Sequence, residues 1–321
     1  MCINIGSVYV ALPDALYITM HKLFGTTLPD RIEPMTVSIF WSIRVPRALV
    51  SFFVGGSLAV SGAVMQSLLQ NPLASSYTMG VSSGSAVGAA LIIISGIQSF
   101  ALRSFLLPAT GFVFALLTVF FVILFSSRID RNIHSYTIIL IGMVISLFVS
   151  ALLTLIAALF PDHSQQIYFW MMGSFSARNW SHVLIIIPVS LIVTFIIMLY
   201  SRELDIMTFG DDQAMSIGVN TRSKKILLIM LTALLTGVSV AFTGAIGFID
   251  LVAPHAVRRI FGARHKAVIP MSFLFGGAFM SIMDLIARTI LSPREIPVGA
   301  VTALLGAPFF IILFFKKRDT K

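Results

Sequence analysis

Two carboxylates, Asp250 and Asp284, stand inside stretches that are otherwise apolar. A carboxylate held among hydrocarbon marks function by default; proton coupling is the pointed reading, and ion pairing or helix capping the plainer one. Asp284 has Arg288 four residues on, on the same helical face, so mutual neutralisation is the simplest chemistry open to it. Arg44 and Arg47 stand just before the first long apolar run. His163, His182 and His255 have no ligand spacing, and the single cysteine, Cys2, allows neither an internal disulfide nor a cysteine-built metal site. No metal and no cofactor is expected. H-E-x-x-H and G-x-x-x-x-G-K-S/T are both absent, so the chain is read as no enzyme, and any ATP is hydrolysed on a partner.

The stretch 201–225 carries a different signal, because it is too long and too patterned for a plain connector. Ile206 and Phe209 offer an apolar stripe, and Gly210 breaks the chain. Asp211 and Asp212 can then open a second short helix, their carboxylates favoured near its positive end, with Gly218 as its stop. Two short helices displayed in this way read as a docking knob for another protein.

The elements that must hold these residues follow from composition. The chain has 321 residues, 57% of them hydrophobic and only 11% charged, and its mean hydropathy is +0.97. A soluble domain carries about 25% charged residues, so an ordinary cytosolic enzyme, a disordered scaffold and a disulfide-stapled secreted module are excluded. The net charge of +9 sits in the gaps between apolar runs, where it sets membrane orientation; no nucleic-acid partner is implied. Since about 20 apolar residues cross the hydrocarbon core as a helix, spans are predicted near 47–69, 79–97, 105–126, 136–160, 183–200, 226–249, 267–290 and 298–315. A shorter piece at 254–263 makes nine segments in an all-α polytopic membrane protein.

Lys316, Lys317, Arg318 and Lys321 put the C-terminus in the cytoplasm, and counting back places the basic loops 127–135, 201–225 and 258–266 there too. Residues 1–45 are then an external segment with no span, with Pro13–Asp14 as a helix start, and 46–321 form the transmembrane domain. Ser57–Ala74 and Ser239–Ala256 match at 7 of 18 positions without a gap, and five segments start between them. The copies therefore run in opposite directions, an inverted repeat of the kind that lets a transporter present related faces to two compartments. Gly80, Gly84 and Gly88, like Gly55, Ala59 and Ala63, give small-residue faces for close helix packing within one protomer.

Several stretches resemble the FecCD-like permease subunits of ABC importers for iron-siderophores, haem and cobalamin. They are Ile43–Arg47, Gly56–Gln66, Asn71–Ala74 with Gly80–Gly84, Trp170–Gly173, Gly244–His255, and Ala287–Arg288 with Glu295–Pro308. The departures are Asp250, where glycine is expected, and a count one short of the usual ten spans, as though a first helix were missing. The resemblance implies a permease dimer in a bacterial plasma membrane, its second member identical or paralogous, over a cytoplasmic ABC ATPase and under an extracytoplasmic substrate-binding protein. It implies ATPase coupling through Phe209, Asp211, Asp212, Gln213, Ala214 and Gly218. It implies docking of the binding protein at Arg44, Arg47 and Arg288, and an inner gate at His134 and Ser135. Iron-siderophore is the expected cargo, ahead of haem and cobalamin; the alternative is an ion-coupled secondary transporter, which would have no need of a docking loop.

Overall fold

The computed structural model describes residues 10–97 and 99–315; Cys2, Lys316, Lys317, Arg318 and Lys321 lie outside the described residues. Among the described residues the regular elements are all helical. A short helix α1 (Leu12–Phe24) opens with Pro13 in its first turn, a position where the missing N–H is no loss. Its buried face, Ala15 and Ile18, packs with Val10, Ile32, Val37 and Phe40. Then α2 (Pro34–Ser38), a π-helical stretch (Ile39–Arg44) and α3 (Val45–Leu68) form one unbroken helix of 35 residues. It starts 13 residues before the predicted span, because Pro34 sets the first turn and Val37 and Phe40 find apolar partners on α1.

The remaining helices are α4 (Val81–Ile94), α5 (Phe100–Ile129), α6 (Ser135–Leu159), α7 (Pro161–Met171), α8 (Trp180–Leu199), α9 (Ser201–Met207) and α10 (Asp211–Ser216). After these come α11 (Thr221–Thr243), α12 (Ile249–Phe261), α13 (His265–Thr289) and α14 (Val298–Phe315). Among the described residues, six helices are long and apolar enough to cross a membrane: Pro34–Leu68, Ser104–Ile129, Ser135–Leu159, Trp180–Leu199, Thr221–Thr243 and His265–Thr289. The other three predicted segments are shorter. At 1.5 Å per residue, the 14 residues of α4 rise about 21 Å, less than the ~30 Å of hydrocarbon.

The central helix is α3, crossed closely by α13. A Cβ on Gly55 would overlap the Gly276 carbonyl, and one on Gly276 would overlap Ala59. On α4 a Cβ at Gly84 would overlap Thr118 and one at Gly88 the Thr110 carbonyl, so both small-residue faces serve packing inside the protomer.

The helices on which the two copies begin, α3 and α11, run antiparallel: Ser61 Oγ is 2.8 Å from Thr236 Oγ1, while Thr232, four residues earlier, donates to Met65 Sδ at 3.4 Å, four residues later. Their local structures differ. The first copy stays helical to Leu68, whereas the second breaks at Gly244, whose φ is +75° and whose Cβ would overlap the Trp170 carbonyl. The predicted span 226–249 therefore ends at Thr243, and α12 begins only at Ile249. Within the break the Tyr77 hydroxyl donates to the Ile246 carbonyl at 2.9 Å and accepts from the Ile246 amide at 3.3 Å.

Candidate coupling and docking sites

The loop 201–225 folds as two short helices. α9 is anchored by Leu204 and Met207, both fully buried. Gly210, with φ +120°, turns the chain, and Asp211 and Asp212 form the first turn of α10, which ends through Ile217 at Gly218, φ +93°. The coupling residues expected here divide into two sets. Phe209 (76% exposed), Asp212, Gln213 and Gly218 face outward. Ala214 is fully buried as an internal anchor, and Asp211 turns inward to Lys225 at 2.6 Å. Ile206 is half-buried against the core, so it adds little to the apolar stripe predicted for it. Ile217 (68% exposed) and Met215 extend the outward apolar face. Sequence reading missed both, although each lies one turn or less from a residue it chose.

Lys225 was also missed. Its ammonium is fully buried and reaches the Asp211 carboxylate, the Ile133 carbonyl at 3.1 Å and Ser135 Oγ at 3.3 Å. Ser135 Oγ donates in turn to the Leu68 carbonyl at 3.1 Å. An expected coupling residue and an expected gate residue thus share one buried cation. The only sequence signal was a lysine at the edge of the apolar run 226–249.

His134 does something else. Its amide donates to Asp130 Oδ2 and its Nδ1 lies 2.7 Å from the same oxygen, while the Asn132 amide reaches Oδ1. Burial works to raise the Asp130 pKa, but the amide and ring of His134 and the Asn132 amide outweigh it and hold the carboxyl at about 2. His134 therefore belongs to a loop cap, and Ser135 is the member of the pair that faces the core.

A second polar chain lies on the far side of α9. Asp205 Oδ1 accepts from the His265 amide at 2.9 Å and lies 2.6 Å from His265 Nδ1. The other ring nitrogen meets Ser67 Oγ at 2.6 Å. Arg258 braces Ser67 (2.8 Å), the Ala63 carbonyl (2.9 Å) and Gln66 (2.7 Å). Asp250 is buried in the first turn of α12, where the Ser75 hydroxyl donates to it, so capping is the role its geometry supports. These contacts gather the basic loops 127–135, 201–225 and 258–266 at one end of the molecule.

The opposite end holds the arginines. Arg47 is buried and engages Asp284 at 2.9 Å and Glu295 at 2.6 Å, whereas Arg288 stays 3.8 Å from Asp284. The pair expected within one helix face is displaced by a partner 237 residues away, because the Arg47 guanidinium presents two parallel donors to the carboxylate. Arg44 and Arg288 are also largely buried, so none of the three arginines offers a bare guanidinium to a partner in this conformation. Arg178, in the loop before α8, is pushed down to about 10 by burial and by the charge of Arg47. Four arginines thus surround two carboxylates. Among the described residues, no group of three or more His, Cys, Asp or Glu could hold a metal ion.

Residues 1–316 match the FecCD transport family. Over 316 residues the chain is 37% identical to YvrB, an ABC transporter permease protein of Bacillus subtilis (strain 168), covering 98% of this chain and 89% of that one. It is 34% identical to the hemin transport system permease protein HmuU of Yersinia pestis over 308 residues, covering 96% and 91%. It is also 34% identical to the molybdate import system permease protein MolB of Haemophilus influenzae over 318 residues, covering 98% and 91%. A metal-chelate type ABC transporter solved in an inward-facing conformation superposes with a TM-score of 0.85 at 31% identity, covering 98% of this chain and 94% of that one. A helical membrane protein without a nucleotide-binding loop, matching these permeases over about nine-tenths of their length, belongs to the FecCD transport family and is the permease of an ABC importer whose ATP is hydrolysed on a separate subunit.

Proposed function

We propose that this permease passes an iron chelate, an iron-siderophore before haem or cobalamin, inward across the bacterial plasma membrane. A cytoplasmic ABC ATPase grips the loop 201–225, an external binding protein delivers cargo at the arginine-lined end, and a second permease, identical or paralogous, completes the pathway. The observation that carries the reading is the exposure of Phe209, Met215 and Ile217 on a loop whose own anchors are buried. Apolar side chains held outward on a rigid base are the make-up of a protein interface. Relatives named for hemin, Fe(3+)-citrate, cobalamin and siderophore transport support a chelate as cargo, and the molybdate relative sets the competing oxyanion class. Nothing favours an ion-coupled carrier: Asp284 is committed to Arg47.

At the outer end the arginines act as a field beneath the docked partner, with four positive groups against Asp284 and Glu295. Such fields set encounter rate and register more than affinity. Uptake of a ferric siderophore, hemin, cobalamin and molybdate, compared between a strain lacking this gene and its parent, tests the assignment. Loss of ferric siderophore uptake alone is the expected result; loss of molybdate uptake alone would overturn it.

A further inference from the structure

Both polar chains that leave the docking loop end at the same place. From α9 the path runs Asp205, His265, Ser67; from the start of α10 it runs Asp211, Lys225, Ser135 and the Leu68 carbonyl. Ser67 and Leu68 are neighbours in the last turn of α3. Just beyond it, the Gln70 amide donates to the Met207 carbonyl at 3.1 Å, a third tie to the end of α9.

Several physical facts make these ties stiff. Lys225, His265 and Ser67 are buried and Asp211 nearly so, so water competes little for the bonds of Lys225 and Ser67 and the Lys225–Asp211 pair acts in a low dielectric; only the Asp205 end of the second path is open to solvent. The Leu68 carbonyl belongs to the final turn of its helix, where carbonyls lack an intrahelical donor and are free to accept from Ser135. The covalent route is looser. α10 joins α11 through exposed Gly218, whose φ is +93° and whose surroundings leave open space for a Cβ. A displaced knob would flex that link, whereas the side-chain paths run without a flexible joint, one through Lys225 on α11 and Ser135 on α6, the other through His265 on α13, to the end of α3. α3 in turn is locked to α13 where Gly55 meets Gly276, so movement at its end is shared by the core.

We propose that the last turn of α3 receives the ATPase stroke, and that Lys225 is the positioning residue that carries movement of α10 into it, with His265 doing the same for α9. This rests on the loop 201–225 being the ATPase dock. The test uses a spin label at Leu73→Cys, just past α3 and exposed, on a Cys2→Ser background. The permease, in complex with its ATPase, is compared with and without vanadate trapping in ATP.

In the parent the label's spectrum should change on trapping. Lys225→Met should keep the ATPase bound and hydrolysing while most of the change is lost, because the Asp211 carboxylate then has no cation linking it to Ser135. Lys225→Arg, which keeps the charge, should restore most of it. A full spectral change in Lys225→Met would overturn the proposal, as would loss of ATPase binding in that variant, since the lysine would then only shape the dock. Phe209→Asp separates the two readings: an ATPase that still co-purifies with it would refute the docking loop itself. Should Lys225→Met fail to fold, Ser135→Ala removes one hydroxyl from the same path. An undiminished change there would overturn the proposal, and a reduced one with the ATPase bound would support it.

Discussion

Arg47 shows how a single side chain can decide the chemistry of a region. Removing its guanidinium leaves Asp284 buried without its main partner, a loss that in other proteins costs about 3–5 kcal/mol. Arg47→Ala should therefore lower the thermal midpoint in detergent markedly, and Arg288→Ala, which removes a contact at 3.8 Å, should lower it much less. Equal shifts would contradict the assignment of Asp284 to Arg47. Sequence reading found both carboxylates and all three arginines but paired Asp284 with the nearer one. Spacing within a helix is visible in a sequence; a partner 237 residues away is brought by tertiary packing and is not. The Asp130 cap offers a second check. Its carboxyl sits at about 2, below the ordinary value near 3.9, so its contribution is complete at neutral pH and is lost only as pH falls from about 4 through 2. Asp130→Asn should lower the midpoint at pH 7, and the difference from the parent should persist unchanged at pH 5.

Among the elements, the pair α9 and α10 was the most legible. Gly210, the two aspartates and Gly218 announce turn, helix start and stop, and the structure has each of them. Which side chains face out was less legible, since a six-residue helix has too few turns for a periodic pattern; hence Ala214 inside and Ile217 outside. Phe209→Asp should cut recovery of the ATPase in pull-downs by about tenfold, comparable to loss of an aromatic interface anchor, without moving the melting midpoint. The break at Gly244 was not legible as a break. The matching copy at Ser57–Ala74 suggested one continuous helix, and the contact that forbids it, with Trp170, comes from another element. Gly244→Ala should be destabilising by about 1–3 kcal/mol or more, given its left-handed φ and the overlap with that carbonyl; a neutral substitution would show that the loop can relax.

Across the whole molecule, charge is sorted by end, basic loops at one and the arginine cluster with its two carboxylates at the other. Glu295 is 39% exposed on its side chain and partly cancels the field of that cluster. Glu295→Gln should speed binding-protein association and steepen its dependence on salt, measured by surface binding kinetics across ionic strengths; unchanged kinetics would argue against electrostatic steering there. The membrane architecture was readable because length and apolarity are properties of a sequence, and the short piece at 254–263 is found as α12, while the early start at Pro34 and the shortness of α4 depend on neighbours. One oxygen atom has an outsized part in this architecture. Where α11 stops, the peptide unit of Ile246 has lost its helical partners, and the phenol of Tyr77 substitutes for both at once. Deleting that atom would orphan a donor and an acceptor together in a place water reaches poorly, so the interrupted path between α11 and α12 is held open by a residue from an entirely different stretch of chain.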